Sequence, residues 1–287
     1  MRATARAQPN IALIKYWGKR DRDRNLPAVG SISLTLDELY TTMDVELDGG
    51  LDRDELDVNG RSAPSMLPRV TRCLDTVLGA DRLRARVVSE SNFPIAAGLA
   101  SSASSFAALV VAASAAGGRA YSVDELADLA GRASGSAARS LYGGFVELRN
   151  DGDGIDVNTL LEGEAWPLRI VAAVTSQAPK PVSSGEAMEV SRRTSPFYSR
   201  WIEEQDMDLS TAGRHYRPGL RQARQRCRTQ LPENAFGHVG VAPSGRLLER
   251  GDARMPRECA SPPGGGCCCV LHDRRRPPGQ GDLPARR

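Results

Sequence analysis

Phe93-Pro94-Ile95-Ala96-Ala97-Gly98-Leu99-Ala100-Ser101-Ser102-Ala103-Ser104-Ser105 is the stretch on which the fold turns. Pro94 and Gly98 bracket a segment unsuited to a helix: proline removes a backbone donor, and ordering a glycine costs the most entropy. From Leu99 the residues are small and lead into the apolar run Phe106–Ala113, so a loop is expected to pass into a buried helix. The first turn of such a helix carries N–H groups without intrahelical partners and the positive end of the helix dipole. Gly98 permits close backbone approach and the serine hydroxyls add donors, which together make a cradle suited to phosphate. A serine-capped, alanine-rich core helix accounts for the same residues equally well. No Gly-Lys-Ser/Thr ends the stretch, so it is not a P-loop.

Upstream, Arg84–Ser89 reads as a strand entering this element, and apolar residues at 66, 67, 70, 74, 77 and 78 have helical spacing. Ser31–Leu36 and Tyr40–Leu47 alternate with period two, which predicts two adjacent antiparallel strands. Asn25-Leu26-Pro27 is a turn signal. Asn10–Ile14 begins a strand-like run that changes to Lys15, Tyr16, Trp17, Gly18 and Lys19. Two lysines four apart with aromatic residues between them can grip a polyanion, although a strand and a solvated turn is the plainer reading of lysines alone.

Downstream, Ser122 and Glu125 form a capping box. Ser134, Ser136 and Arg139 follow on an expected helix; Ser136 and Arg139, three apart, would share a face. A guanidinium beside hydroxyls suits a carboxylate or a phosphate, while a surface arginine on a small-residue helix is the commoner case. Gly143-Gly144 ends that helix and Phe145 starts a strand. Asp151-Gly152-Asp153-Gly154 reads as a hairpin turn, because a calcium loop needs a terminal Glu that is missing. Leu168–Ser176 is an apolar strand, and helices are expected from Glu186 and around Phe197, Tyr198 and Trp201.

With 287 residues the chain fits one large domain or two ordinary ones. The net charge of +3 hides a split: Gly213 onward holds 15 Arg, no Lys and six acidic residues, together with five of the six Cys, all three His and half of the 18 Pro. No apolar run nears the ~20 residues of a membrane helix. No secretory signal is expected, and with Cys73 alone outside the tail a cytoplasmic location is the default.

Ala12-Leu13-Ile14-Lys15-Tyr16-Trp17-Gly18-Lys19, Ala96–Ser105 and Gly135-Ser136-Ala137-Ala138-Arg139-Ser140-Leu141-Tyr142-Gly143-Gly144-Phe145 resemble the signature segments of the diphosphomevalonate decarboxylases, within the GHMP kinase superfamily. Lys180–Met188 and Thr194–Trp201 also resemble that family, so the similarity covers roughly residues 5–211. The resemblance implies an α+β fold of two domains. Residues 1–165 would form an ATP- and substrate-binding domain like domain 2 of ribosomal protein S5, and 166–212 the start of a ferredoxin-like domain. It also implies ATP and Mg2+ as cofactors and mevalonate 5-diphosphate as substrate. The 3-hydroxyl would be phosphorylated, and phosphate and carbon dioxide lost, to give isopentenyl diphosphate for isoprenoid synthesis. Ala97, Gly98, Leu99, Ala100, Ser101, Ser102 and Ser104 would hold nucleotide phosphates, with Ser102 near the transferred group. Asn10, Lys15, Tyr16, Lys19, Ser134, Ser136, Arg139, Ser183 and Ser184 would line the substrate, with Arg139 on its carboxylate and Lys15, Ser102 and Arg139 in catalytic roles. Ala138 stands where many relatives have Cys, which is not expected to matter. Homodimers are common in the family, and no nucleic-acid or membrane partner is expected.

The resemblance stops near residue 212. The family continues with an Asn-x-Leu-Arg-Met-His helix and an Asp-Ala-Gly-Pro segment whose Asp is the expected acid/base; neither is present. A shift of reading frame near residues 211–220 accounts for this. Written CTT CAC GAT CGA CGC CGG CCC, Leu271–Pro277 read one base later becomes Phe-Thr-Ile-Asp-Ala-Gly-Pro. Leu231–Phe236, as CTG CCT GAG AAT GCA TTC, likewise yields Cys-Leu-Arg-Met-His. Residues 213–287 are therefore expected to be an aberrant, disordered tail, its three adjacent cysteines neither a zinc site nor a disulfide cluster, and turnover to be impaired. A related mevalonate or phosphomevalonate kinase, or an inactive phosphometabolite-binding remnant, are the alternatives.

Overall fold

Phe106–Ala113 offers water no polar face, so the helix carrying it must be enclosed on all sides. The computed structural model describes residues 1–95, 99–166, 168–174, 182–214 and 267–273. In chain order its elements are β1 (Arg2–Ala7), β2 (Asn10–Ile14), β3 (Lys19–Asp21), β4 (Leu26–Pro27), β5 (Ser31–Thr35), β6 (Thr41–Asp48), β7 (Glu55–Val58) and β8 (Arg61–Ser62). Then come α1 (Leu67–Leu78), β9 (Arg84–Ser91), α2 (Ser101–Ala116), α3 (Val123–Ala133), β10 (Phe145–Asp151) and β11 (Gly154–Leu161). β12 (Leu168–Val174), α4 (Ser184–Thr194), α5 (Tyr198–Arg214) and β13 (Cys267–Asp273) complete the set.

α2 is the axis of the core. Ala107, Ala108, Leu109, Val110, Ala112 and Ala113 are wholly buried, against α1, α3 and a five-stranded sheet of order β1-β6-β9-β7-β8. The alternation in β6 turns Met43, Val45 and Leu47 onto α2, and Ala85 and Val87 of β9 share that face. Alanine has no bulk beyond Cβ, so helix and sheet approach closely and little space is left unfilled. The second sheet, of order β11-β10-β5-β2, carries the polar residues considered below.

Four expectations need correction. Strands 31–35 and 41–48 do not pair: β5 lies between β2 and β10, whereas β6 lies between β1 and β9 in the other sheet. β5 is buried on both faces and takes its neighbours from distant parts of the chain. Leu26–Pro27 is not only a turn: Asn25 supplies the turn with φ of 58°, and Lys19 pairs with Pro27. The expected helix through 134–141 is broken. α3 stops at Ala133, Ser134 is extended at φ −153°, and a 3₁₀ turn runs over Ala137–Leu141. Within the tail, Cys267–Asp273 is a strand antiparallel to β12, from Leu168↔Asp273 to Val174↔Cys267, contrary to the expectation of disorder throughout. The rest of that expectation, for 215–266 and 274–287, lies outside the described residues. No helix among the described residues is long and apolar enough to cross a membrane.

Candidate functional site

Arg139 is the centre of the site. Its 3₁₀ turn packs on the second sheet, and the side chain, 2% exposed, enters that sheet at β5 and β2. Nη1 donates to Ser31 Oγ, and Nη2 donates to Asn10 Oδ1 at 3.3 Å. Asn10 is fixed in turn: its Nδ2 donates to Ser136 O at 2.9 Å and to Ser140 Oγ at 2.8 Å. The Arg139 Nε is buried without a hydrogen-bond partner. No ion pair among the described residues involves Arg139, so its charge is met only by neutral dipoles. Burial lowers its pKa to about 10, with Tyr16 acting in the opposite direction; the group stays cationic at neutral pH. A buried cation lacking a counter-charge is costly, and an entering anion relieves that cost.

The turn between β2 and β3 brings Tyr16 beside it. A Cβ at Gly135 would lie 2.8 Å from the Tyr16 ring, so glycine there is what lets the two segments meet. The Tyr16 hydroxyl is buried and unpartnered. Burial pushes the phenol up to about 12, opposed by Arg139 and reinforced by Tyr198, so at neutral pH it is a neutral donor. Lys19 opens β3; burial, then Arg69 and Arg22, lower its pKa, which marks a cluster of like charges. Lys15 is exposed, and its carbonyl accepts from Gln205 Nε2 at 3.0 Å.

α2 packs against the 3₁₀ turn that carries Arg139, and begins at Ser101. Ala100 is left-handed at φ 53°, Ala103 N donates to Ala100 O at 2.8 Å, and among the described residues no side chain caps the helix. Ser101 is half-buried and Ser102 exposed there, while Leu99 is buried against Phe93. Ser104 departs from the expected role: it is fully buried, its hydroxyl bonded to Thr41 Oγ1 at 2.7 Å and to Ser101 O at 3.1 Å. At position four of the helix it faces the sheet and not the open end. Ala97 and Gly98 lie outside the described residues. Ser183 caps α4, its hydroxyl accepting from Glu186 N at 3.2 Å, and Ser184 is exposed at the first position of that helix. α4 reaches the Tyr16 turn through Met188.

The structure thus joins Asn10, Tyr16, Ser136 and Arg139 in one group, with Ser134 buried at the end of α3 close by in sequence. Among the described residues no hydrogen bond links that group to Ser102, Ser183 or Ser184. Ser31 and Ser140, which hold Arg139 and Asn10, were not singled out from the sequence. The available signal was weak: serine at alternate positions of a strand buried on both faces.

Comparison with known proteins shows the family. Residues 7–159 match the family model described as the diphosphomevalonate decarboxylase-like N-terminal domain. The diphosphomevalonate decarboxylase of Bos taurus is 39% identical over 216 residues, 67% of this chain and 53% of that protein. A solved structure on the mevalonate diphosphate-mediated ATP binding mechanism of the Enterococcus faecalis mevalonate diphosphate decarboxylase superposes with a TM-score of 0.72 at 33% identity, covering 80% of this chain and 72% of that one. A structure described as MDDEF in complex with MVAPP, AMPPCP and magnesium gives a TM-score of 0.74 at 33% identity, with the same coverage. The chain spans about half the length of the curated mammalian relative it matches. By sequence over its first two-thirds and by fold, the chain belongs to the diphosphomevalonate decarboxylase family.

Proposed function

We propose that this chain binds mevalonate 5-diphosphate and ATP between units 1–165 and 166–212, and that the family's ATP-dependent decarboxylation is the reaction its site serves. The observation that carries the reading is Arg139, buried, cationic and lacking an acidic partner. Its open Nε suits a substrate carboxylate. That carboxylate leaves as neutral carbon dioxide, so the arginine orients it without needing to neutralise a product. Lys15, Tyr16 and Lys19 take the diphosphate, with Ser134, Ser136, Ser183 and Ser184 around the rest of the substrate. The open N-terminus of α2, with Ser101 and Ser102, takes nucleotide phosphates. Among the described residues no cluster of three His, Cys, Asp or Glu side chains is placed to hold a metal ion; a magnesium ion would arrive on the nucleotide phosphates, with the Ser101 and Ser102 hydroxyl oxygens as the ligands this end of α2 offers, while the backbone N–H groups there bind the phosphates. When bound, that ion neutralises phosphate charge. A homodimer in the cytoplasm fits the same reading.

The missing Asp-Ala-Gly-Pro segment favours a second outcome for the chain as written: binding with little turnover. Calorimetry with mevalonate 5-diphosphate and a non-hydrolysable ATP analogue tests the first part, and release of labelled carbon dioxide the second. Binding is expected, weakened at least about 100-fold in Arg139→Met, which deletes a charge-assisted pair. Equal affinity in the two proteins would sink the assignment.

A further inference from the structure

The Lys15–Gly18 turn lies between the end of β2 and the start of β3, and at its far end Gly18 O accepts from Ala28 N at 3.0 Å. It is also held from outside the sheet, by α5. Residues 198, 201, 205 and 209 recur at three- and four-residue spacing and so form one stripe of that helix. Taken in order, the stripe follows the turn in the opposite direction. Leu209 packs on Ile14 and Ile32. Gln205, 1% exposed, donates its Nε2 to the Lys15 carbonyl at 3.0 Å. Trp201 and Tyr198 pack with Tyr16 and Trp17. Tyr198 then closes over Gly18, whose φ is 96°; a Cβ there would run into the Tyr198 hydroxyl.

We infer that α5 sets the geometry of the anion grip, with Gln205 and Tyr198 as positioning residues that hold the Lys15–Gly18 turn from which Lys15, Tyr16 and Lys19 are presented. This rests on the reading of that turn as a phosphate grip, and it assigns the control of the grip to a helix beyond residue 165. An amide donor on a backbone carbonyl fixes a peptide plane, which a purely apolar contact does not do. A glycine with positive φ under an aromatic ring fixes where the turn reverses.

The test uses the full chain and Gln205→Met, which keeps the side-chain length and removes the donor. Hydrogen exchange of amides 16–19 and the affinity for inorganic pyrophosphate are measured together, with β6 and β9 as controls for folding. The expected result is exchange about tenfold faster at 16–19, unchanged controls, and pyrophosphate binding about tenfold weaker. Lys19→Met, in contrast, should weaken binding and leave exchange unaltered. Unchanged exchange in Gln205→Met, faster exchange with undiminished affinity, or an equal rise in β6 and β9 each overturns the inference. If the unaltered chain does not bind pyrophosphate while Gln205 still governs exchange, the phosphate-grip reading fails and the clasp stands.

Discussion

Two buried arginines show how the same side chain serves two ends. The Arg82 guanidinium, 2% exposed, faces Asp54 at 2.6 Å and Asp75 at 2.9 Å. Burial would raise the Asp54 carboxyl, but hydrogen bonds from Arg82, the Ala85 N–H and Thr71, with the Arg82 charge, bring it to about 2. Arg82 is therefore a satisfied clasp between β7 and the end of α1, whereas Arg139 is equally buried and meets no carboxylate among the described residues. The two give opposite predictions. Because the folded Asp54 pKa is depressed, its contribution, roughly 2 kcal/mol, is complete above about pH 4 and lost as pH falls toward 2. Urea titrations between pH 2 and 5 should show this slope, and Asp54→Asn should flatten it while costing about 3 kcal/mol at pH 7. Arg139→Met should leave the unliganded protein as stable or more so. It should also abolish the thermal shift from mevalonate 5-diphosphate, which for the unaltered chain corresponds to about 2.7 kcal/mol at a hundredfold excess over Kd.

At the scale of elements, local chemistry explains most boundaries. Ser122 accepts from Glu125 N at 3.3 Å while the Glu125 carboxylate accepts from Ser122 N at 2.7 Å, the reciprocal arrangement visible in the sequence. Ser122→Ala should cost about 1 kcal/mol by denaturant titration, without effect on ligand binding. Gly144 permits a tighter contact: φ is 71°, and a Cβ would come within 3.0 Å of Glu162 Cα and closer still to the Leu161 carbonyl. Gly144→Ala should cost more than about 2 kcal/mol, since both the backbone and the β10–β11 pairing must shift. The break at Ser134–Ser136 had a local signal, because Ser-Gly-Ser is a poor helix former. The 3₁₀ turn that follows is held by Asn10, which donates to the Ser136 carbonyl and the Ser140 hydroxyl from across the molecule.

At the scale of the whole molecule, three apolar contacts are among those that tie the described chain beyond residue 165 to what precedes it. Trp166 stacks on Phe145 at 5.4 Å, Leu209 meets Ile14 and Ile32, and Met188 with Trp201 meets Tyr16 and Trp17. These contacts place α4 and α5 beside the substrate turn without any residue after Arg214. β13 adds a strand to β12 from the tail rich in Arg, Pro and Cys. Sequencing the gene across codons 205–225 should find one missing or extra base. Restoring the frame should raise carbon dioxide release by at least about 1000-fold, the scale on which an acid/base group and its supporting segment act. An intact frame would remove the frame-shift account and favour the binding remnant.

The sequence by itself determined the buried central helix, the strands with period two, the capping box, the hairpin at 151–154 and the residue types of the anion site. Each of these rests on interactions within a few residues, or on a pattern repeated along one element. Only the tertiary structure decided that β5 and β6 part into different sheets, that Ser104 faces the core, that Ser31 and Ser140 hold Arg139 and Asn10, and that Gln205 reaches back to Lys15. These depend on partners up to 190 residues apart. What chooses them is which buried polar group can be satisfied and which small residue lets two segments touch, and no local pattern records either choice.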